Sequence, residues 1–275
     1  MNGLERITED FLERGCISAD DARTAQKYFP REAELRKKAE KFISDKKLTY
    51  PDLGERLAVT LCAADIAHTR YAEKGISDSI FYDTMSDIGV WTGECRRTGR
   101  AESGLENTAW LAHHVRLELF KLGRLQFQPI KRPVILNMGL KCAIKTLKLP
   151  AQCLNVHIPR TGKLDENAWR ASFYAAPMFF KKYFAAEYSV CVCLSWLLYP
   201  GNEKFMGEKS NITKFSAAFD IVGSRRLDGD ALYYIFGSRK PDMQKLTPKT
   251  SLQKSALEYY KQGGKFGLGF GIKNL

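Results

Sequence analysis

The chain lacks a secretory start, a membrane-length apolar run, a cysteine framework and an abundance of histidine, and each shortage removes a class of protein. Its first residues, Met1-Asn2-Gly3-Leu4-Glu5-Arg6, turn acidic at once, without the basic start and apolar core of a signal segment. The longest nearly apolar stretch, Val190 to Leu198, is about half of what a span requires. A soluble, cytoplasmic chain with no membrane among its partners is therefore expected. Seven cysteines are scattered through the sequence, and only Cys191 and Cys193 lie close together. That pattern fits reduced thiols and gives neither a disulfide framework nor a zinc site. Hydrophobic residues make up 44% and charged residues 27% of 275 positions, which excludes disordered and collagen-like classes. The length allows two cores of roughly 100 to 150 residues each.

Charge divides the chain unevenly. Residues 1 to 120 carry 18 Lys and Arg against 21 Asp and Glu, whereas residues 121 to 275 carry 25 against 10. The second half therefore favours an anionic partner, a phosphate-bearing cofactor or a polyanion, unless its lysines serve only as a solvated surface.

Periodicity divides it at the same place. Leu4, Ile7, Phe11 and Leu12 fall at helical spacing, and Ser18 with Asp21 marks the next helix start. Leu35, Ala39, Phe42 and Ile43 continue the pattern. Asp52 precedes Leu53, Leu57, Leu61 and Ala64, and Ser77 precedes Phe81, Thr84, Met85, Ile88 and Trp91. Trp110, His114, Leu117 and Phe120 share one face of a last helix. His113 and His114 read as structural residues of that helix.

From Gly123 the period is two. Arg124, Gln126 and Gln128 alternate with Leu125 and Phe127, Asn155 and His157 with Leu154, Val156 and Ile158, and Cys191, Cys193 and Ser195 with Val192, Leu194 and Trp196. One sheet face would then display Arg124, Gln126, Asn155, His157, Cys193 and Ser195, either as a wetted side or as a lined cleft. Ala231 to Phe236 reads as a further strand. Helices are expected after Asp165, after Ser210, and after Thr250 or Ser251. The fold class is thus α+β: an all-helical domain over 1–121, then a mixed α/β sheet domain over 122–275. No Gly, Ser or Pro run separates them, so a tight boundary near Lys121 is expected rather than a linker.

Two glycine-bearing segments bear on chemistry. Phe266-Gly267-Leu268-Gly269-Phe270-Gly271-Ile272 follows a helix instead of opening one, which excludes a nucleotide loop and suggests a strand whose bare face is crossed closely. The turn His157-Ile158-Pro159-Arg160-Thr161-Gly162-Lys163-Leu164-Asp165 follows a strand and precedes a helix, so its amides and two cations suit a phosphate as well as a plain connection would. His157, the only histidine after residue 121, is a candidate base or a structural residue.

Several strings coincide with a known family: Gly75-Ile76-Ser77 with Asp83-Thr84-Met85-Ser86-Asp87-Ile88, Leu122 to Gln128, Asn155 to Pro159, Cys193 to Leu198, Ser210-Asn211-Ile212 with Phe215, and Thr250 to Gln253. From about residue 75 onward the chain resembles the two-domain acyltransferases with a helical N-terminal domain and a GNAT-like C-terminal domain. The resemblance implies a sheet that splays to admit the pantetheine of acetyl-CoA or another acyl-CoA, with a small-molecule or peptide amine attacking directly. By position, Leu154 to Ile158 would polarise the thioester, and Ile158, Arg160, Thr161, Gly162, Lys163 and Asn211 would hold the cofactor. His157 would be the base, with Ser195 or Tyr199 near the leaving thiolate. Arg124, Gln126, Asn155, Cys193 and Trp196 would face the acceptor. The superfamily's usual Gln/Arg-x-x-Gly-x-Gly/Ala string is absent, and Gly162 is the one glycine in this turn. The alternative is a non-catalytic polyanion or nucleic-acid binding protein on the same fold, although no zinc-finger, RNP or recognition-helix signature appears.

Overall fold

A computed structural model describes residues 2–275 and forms two compact units, Met1–Gln128 with Ile158–Gly162, and Pro129–His157 with Lys163–Leu275.

The first unit is built on helices α1 (Gly3–Glu13), α2 (Ala19–Gln26), α3 (Glu32–Asp45), α4 (Leu53–Glu73), α5 (Asp78–Met85), α6 (Asp87–Arg97) and α7 (Thr108–Val115). Side chains close their first turns where the sequence suggests. Ser18 Oγ accepts from the Asp21 amide while the Asp21 carboxylate accepts from the Ser18 amide, and Asp52 accepts from the amides of Gly54 and Glu55. Around α4 pack α1, α2, α3, α5 and α7. Leu57, Ala58, Leu61, Ala63, Ala64 and Ala67 are wholly buried on it, so this helix is apolar on more than one face, as a central helix must be.

Three carboxylates are buried in this unit with partners, Asp21, Asp87 and Asp65, the last held by Arg6 (2.7 Å) and Arg36 (2.9 Å). Asp21 accepts from Ser103 Oγ (2.6 Å), Thr92 Oγ1 (2.8 Å) and Arg96 Nη1 (3.0 Å). Burial works against its charge, but the hydrogen bonds from Arg96, Ser103 and Ser18 prevail and hold its pKa below the ordinary value. Asp87 accepts from Trp110 Nε1 (2.8 Å), and both ring nitrogens of wholly buried His114 face acceptors, the Asp87 carboxylate and the Trp110 carbonyl. His114 is thus tied into the packing. Because the Asp21 pKa is lowered on folding, its stabilisation is fully present above the ordinary aspartate value of about 3.9 and is lost as pH falls through the lower folded value. Asp21→Asn is expected to destabilise the protein by about 2 kcal/mol at neutral pH. In urea titrations that deficit should shrink toward pH 3, and an equal deficit at both pH values would contradict the account.

Helix α7 ends earlier than its apolar spacing suggests. Leu117 adopts φ 59°, and Phe120 opens a strand instead of continuing the helix. β1 (Phe120–Leu122) and β2 (Leu125–Lys131) form an antiparallel hairpin, and Lys121 lies within β1.

The second unit contains α8 (Leu140–Leu147), β3 (Gln152–His157), α9 (Glu166–Phe184), β4 (Val190–Ser195), α10 (Asn211–Ser216), β5 (Asp220–Arg226), α11 (Asp228–Phe236), α12 (Ser251–Lys261) and β6 (Gly267–Asn274), with short 3-10 turns at Trp196–Leu198 and Pro200–Lys204. The strands form a six-stranded mixed sheet in the order β1-β2-β3-β4-β6-β5. Asp165, Ser210 and Thr250 cap α9, α10 and α12 through the amides of Ala168, Thr213 and Gln253.

One expected strand is a helix. Ala231 to Phe236 lies in α11, where Ala231, Leu232 and Ile235 are the buried positions, at helical rather than alternating spacing. Asp228 and Asp230 occupy the first turn, and Gly237 closes the helix at φ 84° with its amide on the Tyr233 carbonyl. Those end signals outweigh the strand preference of Tyr233, Tyr234 and Ile235.

The glycine-rich segment is strand β6, paired antiparallel with β4 and β5. A Cβ on Gly269 would lie 2.0 Å from the Leu198 carbonyl oxygen, and one on Gly267 would lie 2.5 Å from the Tyr199 ring. The 3-10 turn after β4 therefore rests directly on backbone, which explains the alternation of glycine with apolar residues.

Candidate active site

Parallel strands β3 and β4, connected through α9, are in register at Leu154↔Cys191 and Asn155↔Val192, and the registered pairs end there. Beyond that point β4 stays paired with β6 through Cys193↔Gly271, Leu194↔Phe270 and Ser195↔Gly269. The edges of β3 and β4 that face each other past Asn155 and Val192 therefore form a fork. Along such a fork an extended ligand carrying its own amides can pair with strand backbone. Leu194, 47% exposed in the body of a strand, lies at this fork.

Asn155 and His157 occupy one face of β3, two residues apart. Asn155 Nδ2 lies 3.1 Å from His157 Nε2. On β4, Ser195 Oγ accepts from the Leu197 amide at 3.1 Å and so starts the 3-10 turn. Buried Trp196 stacks on Tyr234 with ring centroids 6.3 Å apart, and its carbonyl accepts from Asn202 Nδ2 at 2.7 Å. Tyr199 lines an open cleft of roughly 590 Å³ together with Ser224, Arg226, Lys204, Tyr259 and Lys265. Asn211 is exposed at the first position of α10.

The expected polar sheet face is only partly formed. Cys193 is wholly buried, and burial pushes its thiol pKa up to about 12, so it behaves as a small apolar residue instead of facing a cleft. All seven cysteines are buried and unbridged. Gln126 is 2% exposed and belongs to the helical unit, so it does not face solvent as strand alternation suggests. The reason is the same in both cases: packing covers the sheet face that alternation alone would leave wet.

The turn after β3 is organised by cations and carbonyls. Arg124 Nη2 donates to the carbonyls of Pro159 (3.1 Å) and Gly162 (3.2 Å), gathering the turn from Pro159 to Gly162 around its guanidinium. Burial pushes the pKa of that guanidinium down. Arg160 Nη1 meets Glu94 Oε2 at 2.7 Å. Thr161, Gly162 and Lys163 are exposed. At the start of α9, Asp165 accepts from the Ala168 amide, and Glu166 is held by Lys214 (3.0 Å) and Arg170 (2.9 Å). Carboxylates thus already attend this helix terminus. Neither Leu194 nor the fork was legible locally, because where two strands part company is set by what packs between and beside them.

This architecture, a helical unit followed by a sheet that forks between two parallel strands, defines a GNAT-like protein. Residues 9–117 match the N-acyltransferase N-terminal domain, and residues 119–273 match the GNAT-like C-terminal domain. The second match alone spans more than half of the chain, and the chain belongs to this family. Among solved structures it is similar to an acyltransferase in complex with decanoyl-CoA and teicoplanin, at 22% identity and a TM-score of 0.77, over 98% of this chain and 87% of that one. An acyltransferase in complex with CoA and 10C-teicoplanin aligns over the same shares at 21% identity and a TM-score of 0.75. A mutant acyltransferase in complex with octanoyl-CoA aligns over the same shares at 21% and 0.77. These likenesses establish the fold. No curated protein sequence matches the chain. Among the described residues no helix is long and apolar enough to cross a membrane.

Proposed function

We propose that the protein is an acyl-CoA-dependent N-acyltransferase whose acceptor is an amine-bearing small molecule or peptide. The fork between β3 and β4 carries the reading, because its two separated edges offer backbone partners to the amides of a pantetheine arm. Acyltransferases of the same fold, one in complex with decanoyl-CoA and teicoplanin and another with CoA and 10C-teicoplanin, lend support. A domain boundary near Lys121 is part of the proposal.

In this reading the amine nitrogen attacks the thioester carbonyl, the C–S bond breaks and CoA leaves as thiolate. A proton leaves the attacking nitrogen, and His157 is assigned as the base that takes it, directly or through a water. Asn155 positions that imidazole. With Nδ2 donating, the ring accepts at Nε2, and turning the amide over presents Oδ1 to the same nitrogen once it is protonated. Ser195 and Tyr199 are assigned to the leaving thiolate. Ile158, Arg160, Thr161, Gly162, Lys163 and Asn211 are assigned to the cofactor, with Arg124 shaping the turn. Trp196 is assigned to the acceptor side.

Calorimetry with coenzyme A and acetyl-CoA tests the proposal. Binding is expected, and replacing Arg160 and Lys163 together with Ala should weaken it by about 1 to 3 kcal/mol, the scale of one or two charge-assisted hydrogen bonds. Glu94→Gln, which releases Arg160 from its carboxylate partner, should act in the opposite direction. Absence of heat and of any thermal shift at millimolar ligand would sink the enzyme reading and leave a polyanion-binding protein.

A further inference from the structure

Among the described residues twelve large apolar side chains are exposed, and five of them, Val134, Leu136, Leu140, Ile144 and Leu147, fall within fourteen residues. Three of the five repeat at i, i+4 and i+7 along α8, so they form one outward stripe. The opposite side of α8 is already used. Cys142 and Thr146 are buried, and Cys142 packs so closely on Gly223 of β5 that a Cβ there would lie 2.7 Å from its own. The helix therefore cannot roll its stripe inward, and Leu140 stands 77% exposed. Isolated exposed leucines are ordinary, but a contiguous group of this kind marks a contact surface.

Charge identifies what the surface contacts. From residue 119 to residue 164 the sequence contains no Asp or Glu. Within the same stretch Lys131, Arg132, Lys141, Lys145 and Lys148 are all exposed, and by helical spacing the three lysines of α8 and its end, Lys141, Lys145 and Lys148, lie along one side of the apolar stripe. Arg132 also caps α8, donating to the carbonyls of Leu147 (2.8 Å) and Leu149 (3.1 Å), and Lys145 lies 3.7 Å from Asp220. A second copy of the chain fits poorly, since a self-complementary contact would press lysines against lysines. The stripe is bordered along one side by Lys141, Lys145 and Lys148, the pattern of a helix that lies in the plane of an interface with its apolar side in the acyl boundary and its lysines at the headgroups.

We infer that the segment from Lys131 to Lys148 docks the protein peripherally on an anionic lipid surface, with Leu136, Leu140, Ile144 and Leu147 inserted and Lys141 and Lys148 on the headgroups. The expectation of a chain without membrane partners rested on the lack of a crossing segment and does not bear on a surface helix. The inference is independent of the acyltransferase reading and needs no turnover to test.

Co-sedimentation of the full chain with vesicles is decisive. Vesicles of phosphatidylcholine containing about 30% phosphatidylglycerol should pellet the protein at low salt, and phosphatidylcholine alone should not. Raising salt to about 0.5 M should release it, because headgroup attraction is screened. Leu140→Ser with Ile144→Ser, and separately Lys141→Gln with Lys148→Gln, should each reduce the bound fraction about 10-fold, with melting temperatures near that of the unsubstituted protein because all four side chains are exposed. Failure to pellet with anionic vesicles, or pelleting untouched by both double substitutions, would overturn the inference. So would a dimer by light scattering that Leu140→Ser with Ile144→Ser dissolves, since a second copy would then cover the stripe.

Discussion

His157→Gln is expected to slow acyl transfer about 100-fold or more while leaving acyl-CoA affinity nearly unchanged, the signature of a lost general base. The imidazole closes β3 where its pairing with β4 has already ended, with Asn155 3.1 Å away on the same strand face. Glutamine keeps a polar side chain of similar reach but cannot take up a proton near neutral pH. Turnover is read as free CoA thiol with an amine panel, and affinity by calorimetry on the same preparation. Undiminished turnover would remove His157 from the chemistry. A parallel loss of affinity would instead assign it to packing at the fork. Asn155→Leu offers a finer reading: a positioning role predicts a fall in kcat with a displaced pH profile, whereas a purely acceptor-binding role predicts a rise in KM alone.

Gly269→Ala is expected to destabilise the fold by about 3 kcal/mol, at the upper end for overpacking a core. The added methyl would stand 2.0 Å from the Leu198 carbonyl oxygen, and the obstacle is backbone, which cannot swing aside as a side chain would. Relief requires the 3-10 turn at Trp196–Leu198 to lift from the sheet, carrying Trp196 and Tyr199 with it. Gly263→Ala, at a helix end where nothing lies within 4 Å of the added Cβ but φ is 84°, gives a comparison limited to backbone strain. Urea denaturation separates the two, and a Gly269→Ala deficit no larger than that of Gly263→Ala would show that the close approach carries no weight.

Local chemistry made most of the element starts legible. Ser18, Asp52, Asp165, Ser210 and Thr250 each close a helix in the way their side chains dictate, because a cap needs only the residue and the first turn beyond it. The shift from helical to alternating spacing near Gly123 was legible for the same reason, and the resemblance to the GNAT-like family extended it to the sheet. What escaped depends on tertiary context. Phe120 fits the apolar face of α7 by count, but the chain turns at Leu117 and places it in β1. Tyr233, Tyr234 and Ile235 favour a strand by type and sit in a helix by packing.

The site divides along the same line. That His157 ends a strand and Arg160 and Lys163 follow in a turn could be read from order alone. That Arg160 meets Glu94, sixty-six residues earlier, could not. Cys193 illustrates a different failure, since cysteine counts as polar in an alternation pattern yet packs as a small apolar group.

The position of β6 has a consequence for how the second unit assembles. β6 lies between β4 and β5 in the sheet but follows both in the chain. β4 and β5 therefore share no ladder until β6 arrives, and its pairings span about eighty residues to β4 and about fifty to β5. Contacts so distant in sequence form after local ones, because closing a long loop must precede any reward from it. On the emerging chain, β4 and β5 must wait with exposed edges, and the edge of β4 turned away from the fork is paired only when Gly267 to Asn274 threads between them. The strand richest in glycine is the one that enters last, and its bare glycines let it slip under the turn at Leu198.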